Sequence, residues 1–215
     1  QHGHGENETG WIEEGKVHFI MDNLIQAKEA KPFIIVMNNG MVQTKNAEGK
    51  RIVDHTIFPE YLIKDVIPYI EKKYRTIKNK DSRAMAGLSM GSIQTSITAF
   101  EYPEYFSYIG LFSGFLRDFI QGDKIMDMVQ RGKASDKHLR ILDSKETFKN
   151  NLKIFFRAMG ENDIFIQKFL EEDELLSKKI FHASESFMRA GMTGMYGDVV
   201  FEILRNCYSE KWIVM

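Results

Sequence analysis

Residues 83–101 read Arg-Ala-Met-Ala-Gly-Leu-Ser-Met-Gly-Ser-Ile-Gln-Thr-Ser-Ile-Thr-Ala-Phe-Glu, and they contain the pattern G-x-S-x-G at 87–91. This pattern is typical of a nucleophile elbow, in which a strand turns sharply into a helix and holds a serine hydroxyl above the sheet. Glycines two positions before and after Ser89 would let the strand and the helix approach closely while the serine adopts a strained backbone conformation. Five residues alone are a weak signal, so the surrounding sequence has to support it.

The sequence on both sides of Ser89 fits a strand followed by a helix. Residues 85–88 form a short apolar run of strand length, and Ile93, Ile97 and Phe100 then recur at helical spacing. A helix that starts at the serine leaves N–H groups unpaired in its first turn, so the N–H of Met90 could donate to an oxyanion formed when Ser89 attacks a carbonyl. The alternative is an ordinary surface serine in a glycine-rich turn.

Composition indicates a single globular domain, 1–215, that is long enough to bury a core. The chain has 215 residues, of which 43% are hydrophobic and 27% are charged. A net charge of −1 gives no electrostatic case for nucleic acid or an anionic membrane as a partner, and no apolar run approaches the ~18 residues of a membrane-spanning helix. Cys207 is the only cysteine, which excludes a disulfide framework and a cysteine-based metal site.

Strands and helices are predicted to alternate along the chain. The apolar run at 31–37 is continuous, which is typical of a central parallel strand covered on both faces. Pro68 should kink the helix that contains it. We interpret the charged and less regular residues 115–150 as an insertion that covers the site. The predicted strands are 31–37, 85–88, 108–114 and 153–158, the helices are 17–27, 59–75 and 166–179, and turns follow at 38–40 and 160–163. This order predicts an α/β domain with a mostly parallel sheet flanked by helices.

The first eleven residues contain the run His2-Gly3-His4-Gly5. An H-G-x-G run follows a strand in serine esterases and supplies the second backbone N–H of the oxyanion hole. Because neither an apolar strand nor a start methionine precedes it here, we expect the chain to be truncated at its N-terminus. Two alternatives are a disordered polar terminus and adventitious binding of a transition metal by His2 and His4 with nearby carboxylates.

Together these motifs resemble the carbohydrate esterases of family 1, a group that contains feruloyl and acetylxylan esterases and is related to esterase D. The matching motifs cover roughly residues 1–180 and lie at 2–11, 33–37, 59–71, 83–91 and 109–114. The resemblance implies the α/β-hydrolase fold. It also implies ester hydrolysis by a triad in the chain order Ser, Asp, His, with no metal and no organic cofactor.

The resemblance implies roles for individual residues of the triad. Ser89 matches the nucleophile, and Asp163 stands where the family places its acid, in the turn after the strand at 153–158. The alternative for Asp163 is a turn-forming aspartate, and Glu161 is then the fallback acid.

The remaining site residues follow from the same resemblance. The oxyanion donors would be the backbone N–H groups of Met90 and His4. Trp11 and Leu88 are the expected apolar neighbours of the acyl group, although Trp11 could equally be a core residue.

The histidine of the triad has no matching motif. In these esterases it lies after the last strand in a segment like G-H-x-W-x-x-W-R, and nothing of that form occurs in the C-terminal tail. His182 is the only histidine downstream of Asp163, and it follows the predicted helix directly. His55 and His138 precede Asp163, against the chain order of the family. His182 is therefore the candidate general base.

The genetic code offers an explanation for the missing motif. Residues 191–197 are Gly-Met-Thr-Gly-Met-Tyr-Gly. Their codons and that of Asp198, read from the third base of the first, permit His-Asp-Trp-Asn-Val-Trp-Arg. The Asp and Val codons of that reading involve no free choice. We therefore expect a frameshift, in the gene or its record, between about Ile180 and Gly191; the alternative is coincidence helped by degenerate third bases. On this interpretation the tail 184–215 is atypical and should pack poorly.

Three functions remain open from the sequence. The first is an active esterase that cleaves acetyl or hydroxycinnamoyl esters from a plant polysaccharide such as xylan, or from a small ester substrate. The second is a catalytically impaired fragment or pseudoenzyme, which the missing histidine favours, and the third is a carbohydrate-binding or structural domain on the same fold. The resemblance favours a secreted or periplasmic location, although the chain shows no signal peptide, and it leaves the oligomeric state open.

Overall fold

The computed structural model describes residues 1–114, 116, 144–179, 189–192 and 213–214. Strands and helices alternate from Arg83 to Met192 in this part of the chain, as predicted. The helices are α1 (Gly10–Glu13), α2 (Val17–Gln26), α3 (Phe58–Tyr61), α4 (Ile67–Lys73), α5 (Met90–Glu101), α6 (Lys145–Asn151) and α7 (Ile166–Lys179). The strands are β1 (Ile34–Ile35), β2 (Gln43–Lys45), β3 (Arg51–Val53), β4 (Arg83–Leu88), β5 (Tyr108–Phe112), β6 (Ile154–Gly160), β7 (Arg189–Met192) and β8 (Ile213–Val214).

Six of these strands form one sheet in the order β1-β8-β4-β5-β6-β7, and every neighbouring pair runs parallel. Strands β4 and β5 pair from Ala84 opposite Tyr108 to Leu88 opposite Phe112, and Phe112 in turn lies opposite Ala158 of β6. Because parallel strands end at the same edge of a sheet, the residues that follow these three strands meet at one edge, where ligands of such sheets bind. The predicted parallel sheet flanked by helices is confirmed.

Helix α5 lies at the centre of the fold because it is buried along almost its whole length. Its buried residues run from Met90 to Phe100 without a break, although several of them are polar. Ser96 and Thr98 donate their hydroxyl hydrogens to carbonyl oxygens in the preceding turn of the same helix, at 3.0 and 2.7 Å. These bonds let polar side chains occupy a buried helix.

Apolar side chains cover both faces of the sheet. On the face that carries α5, the buried cluster takes residues from α3, α5, β5, α6 and α7, among them Phe58, Phe100, Leu111, Phe148 and Leu176. On the opposite face, buried residues of β4, β5 and β6 pack with Trp11 of α1, and the apolar side of α2 packs beside them. The sheet is therefore sandwiched between helical layers, which is the arrangement a parallel sheet requires.

The helix predicted at 59–75 is interrupted close to Pro68. Helix α3 ends at Tyr61, a π-helical turn spans Leu62–Val66, and α4 begins at Ile67. Proline has no N–H, and its ring clashes with the carbonyl four residues earlier in a regular helix. A wider turn before the proline relieves that clash, so the effect predicted for Pro68 takes the form of a π-helical turn.

The prediction for residues 31–37 is wrong in two respects. Only Ile34–Ile35 form a strand, and residues 33–37 are half-buried rather than covered on both faces. Within the described sheet, β1 is the first strand and pairs with β8 alone. A continuous apolar run reflects burial in general and does not reveal whether one or two strands flank it.

The predicted insertion and tail lie mostly outside the described residues. Of 115–150, the structure describes Leu116 and residues 144–150; of the tail 184–215, it describes β7 and β8, which both pair with the sheet. Poor packing of the tail stays a prediction. Among the helices of the described part, none combines the length and the apolar character needed to cross a bilayer.

Candidate active site

Ser89 occupies the turn between β4 and α5, as the G-x-S-x-G pattern predicts. Its backbone has φ 51° and ψ −111°, which is strained for a residue that carries a Cβ. Its N–H donates to the carbonyl oxygen of Phe112 at 2.8 Å, and its own carbonyl oxygen accepts from the N–H and the hydroxyl of Ser92 at 2.9 and 2.7 Å. The Ser89 side chain is exposed, and its hydroxyl makes no hydrogen bond with a described residue. An exposed serine in a strained turn that its neighbours hold in place is the geometry of a nucleophile elbow.

The two glycines of the pattern have the steric role that the sequence predicts. A Cβ on Gly87 would overlap the carbonyl group of Gly91 and lie 2.7 Å from Thr95 Oγ1. Strand β4 and helix α5 therefore touch through their backbones at this point. A Cβ on Gly91 would lie 2.7 Å from the carbonyl oxygen of His2. The second glycine thus admits the N-terminal segment to the start of the helix.

A third glycine, which sequence analysis missed, lies just after β5. A Cβ on Gly114 would lie 2.5 Å from Cβ of Ser92 and 3.2 Å from the carbonyl oxygen of Ser89. The preceding residue, Ser113, has a positive φ of 42°, and its N–H donates to Ala158 of β6 at 2.8 Å. The end of β5 therefore packs directly under the elbow. Its local signal is the Ser-Gly pair that ends the predicted strand.

The His2-Gly3-His4-Gly5 segment lies beside the elbow and is ordered by its own contacts. Gln1 runs alongside β4, because its carbonyl oxygen accepts from the N–H of Leu88 at 3.0 Å. The buried ring of His2 uses both nitrogens: Nδ1 lies 2.7 Å from the carbonyl oxygen of Gly3, and Nε2 accepts from the N–H of Gly40 at 2.9 Å. These contacts contradict the alternative of a disordered terminus. They also occupy the His2 nitrogens that adventitious metal binding would need, and no group of three or more potential metal ligands occurs among the described residues.

The backbone N–H groups of Met90 and His4 donate to no described residue and could therefore donate to a ligand. The N–H of Gly3 donates to Oε2 of Glu6 at 2.8 Å and is therefore engaged. No hydrogen bond between described residues uses the N–H of Met90, at the first position of α5, or the N–H of His4, which is an exposed residue. This pattern favours the N–H of His4 over that of Gly3 as the second donor to an oxyanion. The oxyanion roles of His4 and Met90 stay predictions.

Asp163 follows β6 at the same edge of the sheet as Ser89. Its N–H donates to the carbonyl oxygen of Gly160 at 3.0 Å, and its Oδ1 accepts from the N–H of Phe165 at 2.9 Å. The residue is half-buried, whereas the fallback acid Glu161 is exposed. Asp163 therefore stabilises this turn, which is the alternative role that the sequence left open. One carboxylate oxygen, Oδ2, makes no hydrogen bond with a described residue, so the triad role of Asp163 stays a prediction.

The structure describes no imidazole bonded to Ser89 among its described residues, and the candidate general base His182 lies outside them. His182 and His138 both fall there. His55 is described, and its Nδ1 lies 3.0 Å from Nε2 of Gln94 on α5. The assignment of His182 as general base stays a prediction.

Trp11 and Leu88 belong to the apolar cluster beneath the elbow. The Trp11 ring meets the Phe112 ring edge-on with centroids 5.7 Å apart, and its Nε1–H donates to the carbonyl oxygen of Gln1 at 3.0 Å. Leu88 is half-buried and packs against the same cluster. Trp11 is therefore half-buried against the core, and contact of either side chain with an acyl group stays a prediction.

Comparison with known sequences relates most of the chain to esterases. Residues 1–178 match the family model described as "Putative esterase". Over 116 residues the chain is 46% identical to an endo-1,4-beta-xylanase/feruloyl esterase of Xylanibacter ruminicola. That alignment covers 53% of this chain and 16% of the relative, so the chain corresponds to a small part of that longer protein.

Solved structures with the same fold are esterases and related hydrolases. A ferulic acid esterase is 20% identical with a TM-score of 0.68, covering 96% of this chain and 82% of that one. A CE1 ferulic acid esterase of Anaeromyces mucronatus, solved with ferulic acid, is 17% identical with a TM-score of 0.68, covering 96% and 76%. An S-formylglutathione hydrolase of Staphylococcus aureus is 15% identical with a TM-score of 0.63, covering 97% and 82%. These likenesses confirm the predicted α/β-hydrolase fold.

Proposed function

Since the chain belongs to the esterase family, we propose that it is a serine carboxylic-ester hydrolase that cleaves hydroxycinnamoyl or acetyl esters of plant cell-wall polysaccharide such as xylan. The relative that is 46% identical carries a name that joins a xylanase with a feruloyl esterase, and one protein of the same fold was solved with ferulic acid. Both names support an acyl group attached to plant polysaccharide as the substrate.

The observation that carries the proposal is the backbone around Ser89. Ser89 has φ 51° and is exposed at the start of a buried helix. No described residue uses the N–H of Met90 or the N–H of His4, which lies in the segment beside the elbow, and no described contact gives the strained serine a structural purpose. Strain of this kind persists only where the surrounding contacts enforce it, and it clusters at active sites. The hydrogen bonds of Ser89 to Phe112 and Ser92 provide that enforcement.

In the proposed reaction, Ser89 Oγ attacks the ester carbonyl while an imidazole, which we assign to His182, takes the serine proton. Asp163 holds the imidazole in the required tautomer and stabilises the imidazolium. The N–H groups of Met90 and His4 donate to the oxyanion. Collapse of the tetrahedral intermediate expels the alcohol, which takes the proton from the imidazolium, and leaves an acyl-Ser89 ester. Water then cleaves that ester by the same steps, and the sequence of steps requires neither a metal nor an organic cofactor.

The test is a rate comparison between the chain and its Ser89→Ala variant. We expect Ser89-dependent hydrolysis of p-nitrophenyl acetate and of methyl ferulate, with the ratio of the two rates reporting acyl preference. Replacing the nucleophile should lower the rate by several orders of magnitude. Equal rates for the two proteins, with both shown to be folded, would remove the esterase proposal for this chain.

A catalytically impaired chain is the second candidate, and one observation favours it. The tail contains His182 but no segment of the form G-H-x-W-x-x-W-R. Such a chain would show no Ser89-dependent turnover of either ester. A third function, carbohydrate binding on the same fold, predicts retention on insoluble xylan that the Ser89→Ala substitution leaves unchanged.

A further inference from the structure

We propose that Gln94 is a positioning residue that sets the direction of the His4 N–H, the second oxyanion donor of the proposed reaction. The inference rests on the proposed function, because that function gives the His4 N–H its catalytic task. Gln94 is fully buried on α5, the helix that begins directly after Ser89. Its side chain is the first link of a hydrogen-bond chain that reaches the peptide carrying the His4 N–H.

The hydrogen-bond chain runs through Gly40 and the His2 ring. Gln94 Nε2 donates to the carbonyl oxygen of Gly40 at 2.7 Å and also lies 3.0 Å from Nδ1 of His55. The N–H of Gly40 donates to Nε2 of His2 at 2.9 Å, which leaves the proton of a neutral ring on Nδ1. That Nδ1–H donates to the carbonyl oxygen of Gly3 at 2.7 Å. Both the Gln94 and the His2 side chains are buried, so water does not compete for these links.

The last link controls the oxyanion donor because the Gly3 carbonyl and the His4 N–H belong to one peptide group. This peptide is trans, and a trans peptide is planar with its C=O and N–H pointing in opposite directions. Holding the Gly3 oxygen towards the His2 ring therefore aims the His4 N–H away from that ring. Rotation of the peptide would break the bond to His2 and turn the donor at the same time.

Gly40 shows that the network is closely fitted. A Cβ at this position would overlap the side-chain amide of Gln1 and lie 2.7 Å from Oε1 of Gln94. Because Gly40 has no side chain, its N–H and C=O can both face the network. Gln94 thus ties the nucleophile helix to the oxyanion loop through one intermediate residue.

A merely structural role would make Gln94 a stabilising buried amide with no influence on the reaction.

Kinetics of Gln94→Met separate the two roles. Methionine has a similar length and cannot donate to Gly40, so the His4 N–H loses its fixed direction. We expect kcat to fall by about 10- to 100-fold, because misplaced or lost oxyanion donors act on the transition state. KM should stay within about twofold, since the bound ester gains little from that donor. The matched control is Ser96→Ala, a buried residue of the same helix whose hydroxyl, among the described residues, bonds within the helix to Ile93. It should lower the melting temperature and leave kcat unchanged.

A second variant tests whether the effect passes through the His2 ring. His2→Phe breaks the same chain at its other end, so the double variant Gln94→Met/His2→Phe should be no slower than the slower single variant. Multiplying effects would overturn the proposal, as would an equal loss of kcat in Ser96→Ala.

A readout without turnover decides the inference even if the esterase proposal fails. In ¹⁵N-labelled protein, Gln94→Met should move the ring nitrogen signals of His2 and the amide signal of His4, while Ser96→Ala should not. Unmoved signals overturn the positioning role. Moved signals in a protein without Ser89-dependent hydrolysis would support the hydrogen-bond chain and reject the esterase function, so the two failures are distinguishable.

Discussion

Replacing Glu172 with glutamine should make the stability of the protein less dependent on pH. Glu172 and Asp173 of α7 both form ion pairs with the buried guanidinium of Arg157 on β6, and Asp173 does so at 2.6 Å. Two carboxylates thus face one guanidinium, and the fully ionised cluster would carry an uncompensated buried charge. Burial raises the pKa of Glu172 to about 7, although Arg157 and the N–H of Leu116 act in the opposite direction.

The sign of the pH effect follows from that raised pKa. The pKa of the Glu172 carboxyl lies above its ordinary value of 4.5. Between these two values the unfolded chain has released the proton and the folded protein still holds it. Stability is therefore fully present below this window and is lost as pH rises through it. At about 1.4 kcal/mol per pKa unit, the loss amounts to about 3 kcal/mol. Glutamine has no proton to lose, so we expect the variant to exceed the free energy of unfolding of the unmodified protein by less than about 1 kcal/mol at pH 5 and by up to about 3 kcal/mol at pH 8.

Urea unfolding at pH 5, 6, 7 and 8 measures this difference directly, and comparison with the unmodified protein cancels the titration of all other groups. Glu171→Gln is the matched control, because it removes one negative charge from the exposed neighbouring position of the same helix. A Glu172→Gln variant that is less stable than the unmodified protein by the same amount at every pH would refute the reasoning. That result would mean that the cluster is fully ionised and that Arg157 compensates both carboxylates.

Two further predictions test the elbow and the acid. Gly87→Ala should destabilise the protein by about 3 kcal/mol, because its Cβ would meet the backbone of Gly91. The control is Gly160→Ala, whose Cβ would lie within 4 Å of no described atom; it should leave the melting temperature unchanged. Asp163→Asn keeps an oxygen that can accept from the N–H of Phe165, so thermal stability should be unchanged while kcat falls by about 10⁴-fold. An unchanged kcat in a folded Asp163→Asn protein would leave Asp163 as a turn residue only.

The sequence predicts best those features whose cause is local. The helix expected at 166–179 has those bounds in the structure, because its apolar residues recur at helical spacing over several turns. The strand expected at 153–158 is β6, extended by two residues to Gly160 and starting one residue later. The elbow was predictable because both glycines that its geometry requires lie within two residues of Ser89 in the sequence.

A local signal can still be overlooked where the element is short. The hairpin β2–β3 has strands of only three residues, too few for an alternating pattern to stand out. Its turn nevertheless carries a signature. The side chain of Asn46 accepts from the N–H of Lys50 at 2.9 Å, and Gly49 has a φ of 78°. Asparagine and glycine favour such turns for these reasons.

Contacts between distant positions were beyond sequence reasoning. The link from His2 to Gly40 spans 38 positions and that from Gly40 to Gln94 spans 54, and no spacing rule connects them. Arg157 is similar, because a charged residue inside an apolar run reads as an interruption until two acids of α7 are placed against it. Burial of polar side chains depends on partners that only the fold brings together.

The frameshift stays a prediction, and the position of β7 indicates where a histidine from the shifted frame would lie. This strand runs parallel to β6, with Gly191 opposite Met159 and Met192 opposite Gly160. Its carboxyl end therefore lies at the sheet edge that also holds Ser89 and the turn of Asp163. In the shifted frame, the codons of Gly191 and Met192 permit a histidine at this edge. A triad needs its imidazole between the nucleophile and the acid, and the edge is where all three strand ends meet.

If the gene carries the frameshift, His182 is not the general base and the present chain lacks its triad histidine. Re-encoding the chain from about Ile180 in the shifted frame should then raise turnover of methyl ferulate by at least about a thousandfold, the scale on which a triad histidine acts. Thermal stability should rise as well, because the new tail brings two tryptophans that can complete the core. The increase should vanish in the re-encoded Ser89→Ala protein. That result would show that the gain depends on the proposed nucleophile. Sequencing the source DNA is the most direct check. If its bases do not spell His, Asp and Trp in the alternate frame, the frameshift is refuted, and His182 is left as the histidine that keeps the chain order of the family.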